Sequence, residues 1–268
     1  MVMGIVNVTP DSFFDGGSFF ETNDAVKHAH QLVAEGADIL DIGGESTRPR
    51  AETVSEAEEL HRVIPVIERL REVSVPISVD TYKPAVARAA AGVGASIVND
   101  VGCDLDRSEM WQAIAELRLG YITMHMRGTP QTMQAKVDYQ NVTAEVAKFF
   151  EERLAQLRLA GVSSEQVVLD PGIGFAKELR HNLELLGRLR VFQSLERPLA
   201  IGISRKSFIE KVPGCNTHDR LSGSLAGAIW AVQNGARIIR THDVAATVQA
   251  LRMIEAIIEA KQQCSGES

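Results

Sequence analysis

Short apolar, β-branched runs recur along the chain at Val2–Val8, Ile39–Gly43, Ile77–Asp80, Ser96–Asp100, Tyr121–His125, Val167–Asp170, Leu199–Ser204 and Arg237–His242. The intervals between most of them carry apolar residues at helical spacing, as in Asn23–Glu35, Ser55–Arg71, Val142–Ala160 and Val244–Ala260. Strands alternating with helices predict βαβ units and a parallel sheet. About eight such units fit a closed (β/α)8 barrel better than an open sheet. No GxGxxG or Walker-type phosphate fingerprint occurs, which weakens the doubly wound alternative.

A second pattern overlies the first. Each apolar run ends in polar or reactive residues: Asn7, Asp41 through Arg48, Asp80, Asn99–Asp100, His125, Asp170, Ser204–Lys206 and Arg240–His242. One polar strand end is ordinarily a cap or a turn. Eight in register predict a functional face, because a barrel gathers the C-terminal ends of its strands on one side.

Length and composition narrow the picture without changing it. The 268 residues, 45% of them hydrophobic, suit a single barrel domain over 1–268. Residues 262–268 read as a frayed tail. The net charge of -7 and the absence of a basic tail argue against nucleic acid as a partner. Three widely spaced cysteines without a CxxC pair read as reduced thiols of a cytoplasmic protein. The N-terminus does not read as a signal peptide, and no apolar run is long enough to span a membrane.

The polar ends sort by chemistry. Arg48, Lys206, Arg240 and His242 suit an anionic substrate, above all a phosphate or pyrophosphate. Arg240 ends the apolar run IIRTHD, which argues against a solvated surface role. Asp80, Asp170 and Asn99 suit a flat heterocycle: a carboxylate accepts from two adjacent N–H groups, and an amide both donates and accepts. A pterin or a purine fits. For Asp170, which precedes Pro171-Gly172, a plain turn role is the alternative. Two loops rich in Gly, Pro and polar residues, Asn7–Gly17 and Gly43–Pro49, read as mobile covers over the site.

The motifs NVTPDSF, DIGGESTRP, SVDTYK, IVND, MHMRGTP, LDPGIGFAK, ISRKS and RTHD occur in this order. As a set they resemble the dihydropteroate synthase family over nearly the whole chain. The resemblance implies condensation of 6-hydroxymethyl-7,8-dihydropterin pyrophosphate with p-aminobenzoate, and sulfonamides as mimics of the latter. It implies a pterin pocket of Asp80, Asn99, Met124, Asp170, Gly202 and Lys206, with ordinary core packing an equal alternative for Met124. It places pyrophosphate against Asn7, Arg48, Arg240 and His242, with Mg2+ held by the Asn7 side-chain oxygen. It assigns p-aminobenzoate to Thr47, Arg48, Pro49, Phe175, Lys206 and Ser207, and stabilisation of a cationic pterin methylene to Asp15 or, second, Asp11.

Two rivals share the fold, a pterin-dependent methyltransferase domain and a non-catalytic pterin-binding paralogue. The first has no need of Thr47-Arg48-Pro49, Ser204–Ser207 or Arg240–His242. The second is expected to have lost one or more of Asn7, Lys206, Arg240 or His242, and all are present. The resemblance also implies a homodimer through helices of the C-terminal half. A stripe of Leu225, Ile229 and Trp230 within Leu221–Val232 is available for it, although packing against the barrel is the expected use of most of these residues.

Overall fold

Parallel strands buried on both faces need apolar residues on the outer side and a filled interior on the inner side. The chain meets both demands. The computed structural model describes residues 1–9, 18–46, 53–102, 107–128, 132–133, 137–214 and 219–265. In chain order the elements are β1 (Val2–Asn7), α1 (Ser18–Ala34), β2 (Ile39–Gly43), α2 (Glu56–Leu70), β3 (Ile77–Asp80), α3 (Pro84–Gly92), β4 (Ile97–Asp100) and α4 (Ser108–Leu117). They continue as β5 (Gly120–Met124), α5 (Val142–Leu159), β6 (Val167–Asp170), α6 (Leu179–Gly187), β7 (Leu199–Gly202), α7 (Leu221–Gln233), β8 (Ala236–Thr241) and α8 (Val244–Ser265). The strands pair in sequence order, all parallel, and β8 closes on β1.

Helix starts follow local chemistry. Ser55 Oγ accepts the Glu58 N–H at 3.2 Å, and three glutamates crowd the first turn of α2 where the helix dipole favours negative charge. Asn141 Oδ1 caps α5 by accepting the Ala144 N–H at 3.0 Å. Pro84 stands in the first turn of α3, where its missing N–H costs nothing.

Alternation along each strand divides the core. Leu40, Ile42, Val79, Val98, Leu169 and Ile201 point outward and pack with the helices. Met3, Ile39, Ile122, Ala200 and Ile238 point inward and, with Ile97 and Val168, fill the barrel below the site. Each inward apolar residue is followed two residues later along its strand by another inward position.

Of the tail at 262–268, residues 262–265 continue α8 and the last three lie outside the described residues. One expectation needs correction: the stripe of α7 does not mainly serve the core. Its buried residues are the small Ser224, Ala228 and Ala231, whereas Trp230 is 48% exposed. The helix lies too close for larger groups: a Cβ on Gly227 would stand 3.0 Å from Ile203, and one on Gly223 2.4 Å from Ile209.

Candidate active site

The period of two decides which polar residues enter the barrel. In β2, Ile39 points inward, so Asp41 and Gly43 do as well; in β4, Ile97 brings Asn99 inward and turns Asp100 out. The same rule places Asp80, Met124, Asp170, Gly202 and Arg240 inside. Asp100 instead pairs outside the barrel with Arg107 and accepts from the Tyr121 hydroxyl at 2.7 Å. Register then aligns the inward groups. Asn7 pairs with Gly43, Gly43 with Asp80 and Asp80 with Asn99, one row across four strands. Gly43 keeps that row open, because a Cβ there would lie 3.8 Å from Asp80 Oδ2 and 3.9 Å from Asn7 Oδ1.

Arg240 crosses the site. Its Nε donates to Asp41 Oδ2 at 2.6 Å and its Nη2 to Asp80 Oδ2 at 2.7 Å. Asn99 Nδ2 donates to the same Asp41 oxygen at 3.1 Å. Asp41 Oδ1, Asp80 Oδ1 and Ser78 Oγ are buried without a hydrogen-bond partner among the described residues. Burial raises the Asp80 carboxyl to about 7; Arg240 works against that rise, and Asp41, Glu59 and Asp100 add to it. Burial opposes the Arg240 charge, but Asp41 and Asp80 outweigh it and hold the guanidinium above its ordinary value.

On the opposite side, Asp170 Oδ1 accepts the Gly172 N–H at 2.8 Å. The turn role is therefore real and uses one oxygen. Oδ2 has no hydrogen-bond partner among the described residues, and burial raises this carboxyl despite Lys206 nearby. Lys206 Nζ donates to the Ile173 carbonyl and lies 4.4 Å from the centroid of the Phe175 ring. Burial pushes its ammonium down to about 8, against the pull of Asp170 and with the push of Arg240. Gly174, at φ +85°, lets the loop pass this close; a Cβ would stand 2.9 Å from Lys206 Cδ. Gly202 lies under both cations, with its Cβ position 3.8 Å from Arg240 Cβ and 3.9 Å from Lys206 Nζ.

Met124 is buried with Val101, Met126, Met133 and Ala176, and the half-buried Phe175 packs on that cluster. This is the core packing expected of it, and its register pairing with Asp170 sets it at the same end of the barrel. His242 is half-buried beside Ser204, and Ser207 is exposed next to Lys206. Asp11, Asp15, Thr47, Arg48 and Pro49 lie outside the described residues. Among the described residues no group of three or more His, Cys, Asp or Glu side chains is arranged to hold a metal ion.

Three groups escaped the site reading. Asp41 was visible only as part of a polar run, although an aspartate between Leu40 and Ile42 is itself a signal of a paired buried charge. Lys177 is 4% exposed and donates to the Phe175 carbonyl at 2.9 Å, with His125 Nδ1 at 3.1 Å. Burial, with Lys177 and Arg127 adding, holds the His125 pKa well below its ordinary value, so its neutral ring accepts. Lys83 joins Glu45, at 2.5 Å, to Glu59, and the Tyr82 hydroxyl donates to Glu45 at 2.9 Å. This buried cluster anchors the start of the Gly43–Pro49 loop.

The family model described as "Pterin binding enzyme" matches residues 3–242. Dihydropteroate synthase of Escherichia coli K12 is 50% identical over 262 residues, covering 97% of this chain and 93% of the relative. The structure of the Xanthomonas albilineans enzyme with 4-aminobenzoic acid superposes with a TM-score of 0.89 at 46% identity, over 96% of this chain and 92% of that one. The Yersinia pestis enzyme, solved as a sulfonamide drug complex, gives a TM-score of 0.89 at 42% identity, over 96% and 94%. With a pterin-binding model matched over most of its length and close relatives covering nearly all of it, the chain belongs to the dihydropteroate synthase family.

Proposed function

We infer that this protein condenses 6-hydroxymethyl-7,8-dihydropterin pyrophosphate with p-aminobenzoate, giving 7,8-dihydropteroate and pyrophosphate in folate biosynthesis. The observation that carries the reading is the convergence inside one barrel of Asp80, Asn99 and Asp170 with Lys206 and Arg240. Acceptors for a heterocycle's N–H edge stand beside cations for a leaving anion.

Asp170 Oδ2 accepts from the pterin amino and ring N–H groups. Asn99 and Asp80 bind another edge, Lys206 lies above Gly202, and Met124 supplies an apolar wall. Arg240, His242, Arg48 and Asn7 take the pyrophosphate. Asn7 fits Mg2+ as one hard oxygen ligand at a strand end, and such an ion is commonly held by few protein groups plus substrate phosphates and water. A Mg2+ bound there supplies positive charge against the leaving group.

The bond between the pterin methylene carbon and the pyrophosphate oxygen breaks, and its electron pair leaves with the oxygen. Arg240 and His242 stabilise that growing charge from fixed positions. The methylene cation is stabilised by the ring and by Asp15. The neutral arylamine nitrogen of p-aminobenzoate then forms the new C–N bond, and its proton passes to pyrophosphate or water. Thr47, Arg48, Pro49, Phe175, Lys206 and Ser207 hold the aryl acid. Catalysis on this reading is positioning and charge stabilisation, without a covalent enzyme intermediate. Sulfonamides compete at the aryl site.

The exposed Trp230, Met253 and Ile257 on α7 and α8 support a homodimer through this face. The cysteine pattern and the folate-pathway role support a cytoplasmic location. No described helix is long and apolar enough to cross a membrane.

An assay of dihydropteroate formation from the two substrates, with and without Mg2+, tests the reading. Folded protein that forms no product contradicts it. Labelled pyrophosphate is expected to enter the pterin substrate in the absence of p-aminobenzoate; no exchange in active enzyme argues for concerted attack instead.

A further inference from the structure

Asp41 lies at the middle of the site without a role in the binding scheme above. It is fully buried on β2, and its single oxygen Oδ2 receives two donors from two other strands, Asn99 Nδ2 at 3.1 Å and Arg240 Nε at 2.6 Å. An ionised carboxylate accepts and cannot donate. A buried carboxamide facing it must therefore present its nitrogen. The alternative flip of Asn99 would set oxygen against oxygen in a low-dielectric interior. One Nδ2 proton is thus committed to Asp41. The Asn99 oxygen and the second Nδ2 proton remain for a ligand, in a fixed order along the amide edge. Arg240 is held by the same atom, with Nη2 committed to Asp80 at 2.7 Å.

We propose that Asp41 is the positioning residue of the pterin pocket: one carboxylate oxygen sets both the flip of the Asn99 amide and the direction of the Arg240 guanidinium. It thereby decides the order in which the site offers donor and acceptor to the heterocycle. This rests on the pterin-pocket reading given above. A carboxylate serving stability alone would need neither two donors on one oxygen nor a second buried oxygen without a partner among the described residues.

The test uses the near-isosteric Asp41→Asn in the full chain. Its amide cannot accept both donors as an anion does. Titration with 6-hydroxymethylpterin is expected to show affinity lowered about tenfold or more, the scale of a lost charge-assisted hydrogen bond. Inorganic pyrophosphate, which meets Arg240, is expected to bind more weakly as well. Asn99→Ala and the double variant close a cycle. If Asp41 acts through Asn99, the double variant binds the pterin no more weakly than the poorer single variant; additive losses overturn the proposal. Wild-type pterin affinity in folded Asp41→Asn also overturns it. Asp170→Asn separates the two readings. If it too binds the pterin normally, the pocket assignment itself fails; if it alone loses binding, only the role of Asp41 falls.

Should Asp41→Asn not fold, nitrogen-15 NMR of the wild-type chain decides. The Arg240 Nε–H and one of the two Asn99 Nδ2 protons are expected to exchange slowly and to lie apart from the exposed side chains. Exchange of both at solvent rates overturns the proposal.

Discussion

Ser204 Oγ accepts the main-chain N–H of His242 at 3.1 Å and lies 3.0 Å from Nδ1 of the same residue. The arrangement expected here has the hydroxyl accept from the amide and give its own proton to Nδ1, which puts the ring proton of a neutral imidazole on Nε2. Ser204 and His242 come from neighbouring strand ends, so the β7–β8 pairing brings this hydroxyl to a group assigned to the leaving anion.

Removal of that hydroxyl in Ser204→Ala is expected to lower kcat/KM about tenfold, with little change in melting temperature, by releasing the ring. Nitrogen-15 shifts of His242 in the wild-type chain check the premise. An Nδ1 that carries the proton at neutral pH contradicts the assigned tautomer.

Activity should depend on pH through a narrow bell. Asp80 is charged above about 7, where it can hold Arg240, and Lys206 is charged below about 8, where it can serve the substrate anion. On either side kcat/KM is expected to fall about tenfold per pH unit. Asp80→Asn removes the acid limb. Persistence of that limb in the variant would assign it to another group.

The cluster at the start of the second loop should matter for stability and for the aryl acid. Lys83 is 14% exposed against Glu45 at 6% and Glu59 at 1%. Burial opposes its charge, but the hydrogen bonds to the two glutamates prevail and keep its pKa above the ordinary value. Lys83→Met leaves two buried carboxylates uncompensated, at a cost of about 3–5 kcal/mol by denaturant unfolding. Adding Glu59→Gln should recover part of that loss. Because Glu45 stands just before Thr47-Arg48-Pro49, the KM for p-aminobenzoate is expected to rise in Lys83→Met. A variant with unchanged unfolding and unchanged KM refutes both roles.

Two glycines of the β6 loop separate folding from binding. At Gly172, with φ +68°, a Cβ would fall 1.9 Å from the His125 carbonyl oxygen, a main-chain atom that cannot move aside. Gly172→Ala is expected to cost more than about 3 kcal/mol or to prevent folding. At Gly174, with φ +85°, the obstruction is the Lys206 side chain. Gly174→Ala is expected to fold with a loss of about 1–2 kcal/mol from the left-handed backbone. Its affinity for the pterin should drop about tenfold as Lys206 is displaced. Calorimetry and a pterin titration on both variants distinguish the cases, and equal stability losses would refute the contrast.

Much of the barrel is legible in the amino-acid sequence itself. Hydrophobic runs at strand length, separated by helical periodicity, mark all eight strands to within a few residues, because burial on both faces demands continuous apolar sequence. The polar strand ends also announced one working face. Local pattern did not reveal that Asp100 turns outward to Arg107 while its neighbour Asn99 turns inward, since that depends on which alternate residues face the barrel axis. Nor did it distinguish the small buried ridge of α7 from its exposed large residues, which depends on how closely the helix approaches Ile203 and Ile209. The polar strand ends supplied Asp80, Asn99, Asp170, Lys206 and Arg240 as candidates, and the resemblance sorted them into subsites. The tertiary structure decided their pairing, and with it the place of Asp41, which lies 199 residues from Arg240 in the chain and 2.6 Å from it in the fold. Polar contacts between distant strands are set by register and barrel closure, and no local sequence window contains either.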